Sequence, residues 1–90
     1  TILTLEETKL NISKSNKDKL TELMNAVASS GEIFQFDFQS TINFEFWNSA
    51  HVQVKLNEVP LHTFLSNDEL SVRGSYEADK SQLYLGFYKN

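Results

Sequence analysis

From Phe34 to Leu56 the apolar side chains keep one parity: Phe34, Phe36, Phe38, Ile42, Phe44, Phe46, Val52, Val54 and Leu56. Polar residues such as Gln35, Asp37, Asn43, Glu45 and Gln53 stand between them. A period of two marks a strand with one covered face, because successive Cβ atoms point to opposite sides of the pleat. A helix cannot gather these side chains on one side. The chain must therefore build a sheet, with the even positions of this stretch inside. Loops at Gln39–Ser40–Thr41 and Asn48–Ser49–Ala50 would divide the comb into a central meander over residues 32–57. Phe36 would then face Phe44, and Phe44 would face Val54, in apolar cross-strand rows. Both Phe36 and Phe44 are expected to be nearly inaccessible.

The period changes upstream. Leu20, Leu23, Met24, Val27 and Ala28 fall at i, i+3, i+4, i+7 and i+8, the stripe of an amphipathic helix over about residues 16–29. Ser15 followed by Asp18 resembles a capping box, with Ser13 as a rival cap. Gly31 suits the left-handed position after a helix end. Before the helix, Leu3 and Leu5 are odd whereas Leu10 and Ile12 are even. That switch requires a bulge near Glu6–Thr8 or two short strands. Downstream, Pro60 could open one or two helical turns through Leu61, Phe64 and Leu65, followed by turn chemistry at Ser66–Asn67–Asp68. A C-terminal hairpin over 70–89 turns at Ala78–Ser81. Leu70, Val72, Tyr76, Leu83, Leu85 and Phe87 would face the core, and Arg73, Tyr84 and Tyr88 would face away. Gly74 and Gly86 inside its strands indicate a bulge or a close packing contact.

These elements sum to a single α+β domain over residues 1–90. It has an antiparallel sheet of five to six strands with the helix packed on one face. A ferredoxin-like order is the rival arrangement.

Composition narrows the function. Ninety residues make one domain, and 40% apolar content with seven Phe argues against disorder. There is no Cys, which removes a thiol nucleophile and a Cys-based metal site. No apolar run approaches the roughly 18 residues of a membrane span, and no signal-peptide pattern opens the sequence. A cytoplasmic, soluble protein with no membrane contact is expected, although a cleaved signal peptide would leave no trace. The net charge is −4, and residues 32–90 hold all the excess, with eight acidic and four basic side chains. That sign disfavours binding to phosphate backbones.

Candidate partner-binding residues come from the sheet's polar side. In the meander, Ile33 would sit with Trp47 and His51 at one corner, a possible interaction anchor because Trp is enriched where partners bind. Glu45 would stand between Gln35 and Gln53. Arg73, Tyr84 and Tyr88 form a second group, able to contact protein or to stack bases. The blander readings are that the N-terminal strand or the loop near Pro60 covers the first corner, and that the two tyrosines simply have apolar bodies and wet tips. Lys9, Lys14, Lys17 and Lys19 gather near the expected helix start, where a solvated charged face is the simplest account.

No catalytic, cofactor-binding or metal-binding residue is assigned. His51 and His62 lie eleven residues apart without metal-ligand spacing. The expectation is a small non-enzymatic binding protein of inhibitor, immunity or accessory-factor type, acting on another protein and self-associating by sheet edges into a homodimer. One alternative is single-stranded nucleic-acid binding through Tyr and Arg. A second is a small ribonuclease-like hydrolase using Glu45, His51 and Arg73.

Overall fold

A computed structural model describes residues 1–16, 18–56, 59–61 and 70–89. The strands are β1 (Ile2–Thr4), β2 (Thr8–Asn16), β3 (Lys19–Ala28), β4 (Ile33–Phe34), β5 (Thr41–Phe46), β6 (Val52–Leu56), β7 (Val59–Pro60), β8 (Ser71–Glu77) and β9 (Gln82–Tyr88). A single 3-10 turn, Ser49–His51, precedes β6. Two antiparallel sheets result. The larger has five strands in the order β3-β2-β5-β8-β9. The smaller runs β4-β1-β6, extended by two-residue β7. Inward residues of both sheets meet in one core: Leu10, Ile12, Ile42, Phe44, Phe46 and Val72 from the larger, Ile2, Val52 and Val54 from the smaller. The architecture is a β-sandwich.

The α+β expectation is therefore wrong, and the helix is the reason. No α-helix occurs among the described residues. Residues 19–28 form β3, hydrogen-bonded along its length to β2. Only one adjacent pair of the helical stripe comes from a bulge. Met24 pairs with Ile12 but Glu22 pairs with Ser13, so Leu23 is an extra residue in the ladder. Leu23 and Met24 both pack against the core, which mimics an i, i+1 helical pair. The other members of the stripe do not share a face: Leu20 and Val27 are 67% and 62% exposed, and Ala28 is buried. Tertiary pairing overrides the local preference here. Gly31 does adopt a positive φ of 81°, but in the turn after β3, where its N–H donates to the Thr4 carbonyl at 2.7 Å.

The comb is inside, yet it is not a meander. β5 pairs with β2 and β8, whereas β4 and β6 both pair with β1 in the other sheet. Phe34 and Val54 thus join the core that holds Phe44 and Phe46 from the opposite sheet rather than along a ladder. Phe44 is 6% exposed, and Phe36, in an irregular segment, is only half-buried. The early parity switch resolves as two strands in different sheets. Ile2 and Thr4 point inward, so Leu3 and Leu5 do not. Buried Thr4 anchors the β3–β4 turn: its hydroxyl donates to the Ser29 carbonyl and accepts from the Glu32 N–H at 3.0 Å.

The C-terminal hairpin pairs Ser71–Glu77 with Gln82–Tyr88 in unbroken register. Ser81 has a φ of 49° in its turn. Gly74 faces inward without a bulge. A Cβ there would lie 2.5 Å from two ring atoms of Phe44, so the ring packs directly on the β8 backbone. Pro60 belongs to β7, and Leu61 is buried with its N–H donating to the Val54 carbonyl at 2.7 Å. The helical turns expected through Phe64 and Leu65, the Ser66–Asp68 turn, and His62 lie outside the described residues.

Candidate functional site

The register of the larger sheet decides which side chains share its outer face. Lys9, Asn11, Ser13 and Ser15 come from β2, and Thr41, Asn43 and Glu45 from β5, with Trp47 just beyond. Arg73, Ser75 and Glu77 come from β8, and Gln82, Tyr84, Gly86 and Tyr88 from β9. Five of the seven sequence candidates therefore stand on one surface: Glu45, Trp47, Arg73, Tyr84 and Tyr88.

Its central row runs Asn11–Glu45–Arg73–Gly86 across four strands. Arg73 Nε lies 3.5 Å from a Glu45 carboxylate oxygen, with Arg73 about two-thirds exposed. An exposed pair of this kind adds little stability, of order 0–1 kcal/mol, so its geometry matters more than its energy. The guanidinium carbon sits 5.5 Å from the centroid of the Tyr88 ring. That ring lies over Gly86, whose absent side chain leaves room for it: a Cβ there would be 3.1 Å from the Tyr88 hydroxyl. Glycine thus seats the ring, and the ring supports the arginine.

The flanking rows continue the pattern. Lys9 Nζ stands 5.1 Å from the centroid of Trp47, which is 50% exposed. Ser71 Oγ donates to the Trp47 carbonyl at 3.2 Å. On the other side, Asn43 Nδ2 donates to Ser15 Oγ at 3.1 Å, and the Tyr84 hydroxyl donates to Gln82 Oε1 at 2.5 Å. Three adjoining depressions cross the face. One of about 300 Å³ lies between Trp47 and Tyr88 with Glu45, Ser71, Arg73 and Lys89. One of about 230 Å³ is bordered by Asn11, Ser13, Asn43, Glu45 and Arg73. One of about 440 Å³ is bordered by Asn43, Arg73, Ser75, Tyr84, Gly86 and Tyr88. Arg73 borders all three. Its planar fork carries five donors, of which the Glu45 contact uses Nε.

Two candidates lie elsewhere. Ile33 pairs with Leu3 on the outside of the smaller sheet, so the expected Ile33–Trp47–His51 corner does not form. His51 is held by the loop between β1 and β2: Nε2 is 2.9 Å from Glu6, and Nδ1 is 3.3 Å from the Glu7 carbonyl. The Leu5 N–H also donates to the His51 carbonyl at 2.7 Å. His51 thereby ties together two of the connections that cross between the sheets, β1–β2 and β5–β6. The Gln35–Glu45–Gln53 row is likewise absent, because Glu45 is flanked by Asn11 and Arg73. Of the lysine group, Lys9 joins the Trp47 end of the outer face, and Lys17 lies outside the described residues.

Asn11 and Ser75 are site residues that sequence reasoning passed over, whereas Asn43 was visible between the apolar positions of the comb. For Asn11 the signal was present in the alternation of Lys9, Asn11, Ser13 and Ser15 against Leu10 and Ile12. Among the described residues, no three His, Asp or Glu side chains gather in a way that could hold a metal ion. No helix among them is long and apolar enough to cross a membrane. Comparison of the chain with protein-family models, curated proteins and solved structures finds no match.

Proposed function

We propose that this is a small non-enzymatic binding protein that acts by protein–protein contact, as an inhibitor, immunity or accessory factor does, through the outer face of the five-stranded sheet. The observation that carries the reading is Arg73 bordering three adjoining depressions while braced by Glu45 and the Tyr88 ring. Trp, Tyr and Arg are the residues that most often dominate interface energies. Here they are set in advance, so little side-chain ordering is left for the moment of binding. Arg73 and Lys89 border the depression that holds Glu45, and Lys9 stands over Trp47 at its end. The preferred partner segment there pairs an apolar side chain, for the gap between Trp47 and Tyr88, with a carboxylate for Arg73. A cytoplasmic location goes with this reading and is tested by cell fractionation.

Affinity capture from the native host tests it, using wild-type protein, Trp47→Ala/Tyr84→Ala and Arg73→Ala. Partners recovered by wild type and lost with either variant support the outer face, and equal recovery by all three sinks it. The nucleic-acid alternative gains no support from the geometry, because Glu22, Glu45 and Glu77 stand on the same face as Lys9 and Arg73. Salt-sensitive binding of a single-stranded oligonucleotide would restore it. The hydrolase alternative gains no support from the geometry, because His51 sits beside Glu6 at the β1–β2 loop while Glu45 and Arg73 are neighbours on the outer face.

A further inference from the structure

The two edges of the five-stranded sheet differ. β3 ends it on one side with Lys19, Glu22 and the bulge at Leu23. Charges and bulges are the usual protections of an exposed edge, because they deter another strand from adding on. β9 ends it on the other side with none of these. Gln82-Leu83-Tyr84-Leu85-Gly86-Phe87-Tyr88 contains no charge, no proline and no register shift. Among the described residues no strand lies beyond it. Tyr84 and Tyr88 are half exposed, and Phe87, on the core side, is 39% exposed.

We propose that β9 is the docking strand for a second copy of this chain, added antiparallel about a two-fold axis through Leu85. This pairing keeps every side chain on its own face. Leu83 meets the second copy's Phe87 on the core side, and Leu85 meets its own equivalent. On the outer side Tyr84 meets Gly86, and Gln82 meets Tyr88. No like charges oppose each other, and an uncharged strand is matched by an uncharged strand. A charged partner strand would find no countercharge along Gln82–Tyr88. Seven residues span about 23 Å of strand, which places the contact at the small end of specific interfaces, below roughly 1,200 Å². The dimer is therefore weak and forms by mass action at high concentration. The axis is perpendicular to the sheet, so both outer faces lie on one side of a continuous ten-stranded sheet. The two Arg73 residues then stand about 15 Å apart, three strand spacings with a small offset. A partner with two matching segments would gain avidity from this arrangement.

The test is sedimentation equilibrium from about 10 µM to about 1 mM, the range in which an interface of this size associates. Wild type is expected to rise from 10.3 kDa towards twice that mass. Tyr84→Lys/Phe87→Lys, which restores the missing edge charges, is expected to stay monomeric with an unchanged circular dichroism spectrum. Amide hydrogen exchange of the wild type is measured at both ends of the range, so the answer does not depend on the variant folding. Added protection confined to residues 82–88 supports the proposal. A wild type that stays monomeric at the highest concentration overturns it and leaves β9 to a strand from a different protein. Association of the double variant equal to wild type, or added protection on residues 19–28 instead, also overturns it.

Discussion

Replacing Gly74 with alanine should destabilise the protein, although alanine favours a strand more than glycine does. The added methyl would lie 2.5 Å from Cε2 and Cζ of Phe44 and 2.8 Å from a Leu85 methyl carbon. The Leu85 methyl can rotate away. The Phe44 ring has less freedom: it is 6% exposed and stacks on Phe46 with centroids 5.3 Å apart. Overpacking of this kind costs about 1–3 kcal/mol. Stiffening the unfolded chain returns about 0.4–1 kcal/mol. The net expectation is a loss of about 1–2 kcal/mol, which for a domain of this size lowers Tm by roughly 5–15 °C. Urea unfolding of wild type and Gly74→Ala measures the loss directly. A double-mutant cycle with Phe44→Leu isolates its cause, because the shorter side chain vacates the space and should recover at least about 0.5 kcal/mol of coupling. A Gly74→Ala protein as stable as wild type, or a cycle with no coupling, would refute the claim that this ring lies on the β8 backbone.

Substitutions at two further positions test other parts of the sandwich. Thr8 Oγ1 is buried without a hydrogen-bond partner among the described residues, so Thr8→Val should be neutral or raise stability by up to about 1 kcal/mol in thermal melts. A clear loss would mean that the hydroxyl is satisfied. Gly31 has a φ of 81° and open space around its Cα, so Gly31→Ala should cost about 1 kcal/mol through backbone strain alone, and Gly31→Asn less. Equal stability of all three proteins would show that the β3–β4 turn does not require the left-handed conformation.

The sequence made one kind of information plain and left another open. Parity belongs to the pleat of each strand, so the even positions from Phe34 to Val54 could be assigned to the inside without knowing any partner. Parity does not say which strand lies alongside, and here the teeth divide between two sheets. The hairpin of β8 and β9 was legible because its turn and both alternating runs are contiguous in the chain. Arg73, Tyr84 and Tyr88 could therefore be placed on an outer face. The join of that face to Glu45 and Trp47 depends on β5 pairing with β8 across a long separation, which no local pattern encodes. Ile33 and His51 were assigned to the same surface only through a meander that does not form. The β3 segment misled for a physical reason: a bulge sets Leu23 and Met24 side by side on the core, and the outward Leu20 and Val27 complete a helical spacing without sharing that face.

The central claim is that partners are met on the outer face of the five-stranded sheet. The most direct measurement places a photo-crosslinking amino acid at Tyr84 on that face, and in a second protein at Ile33 on the opposite side of the sandwich, and irradiates both in the native host. Specific cross-linked species from position 84, absent from position 33 and lost when Arg73→Ala is added, are the expected result. The same species from both positions, or from position 33 alone, would contradict the account.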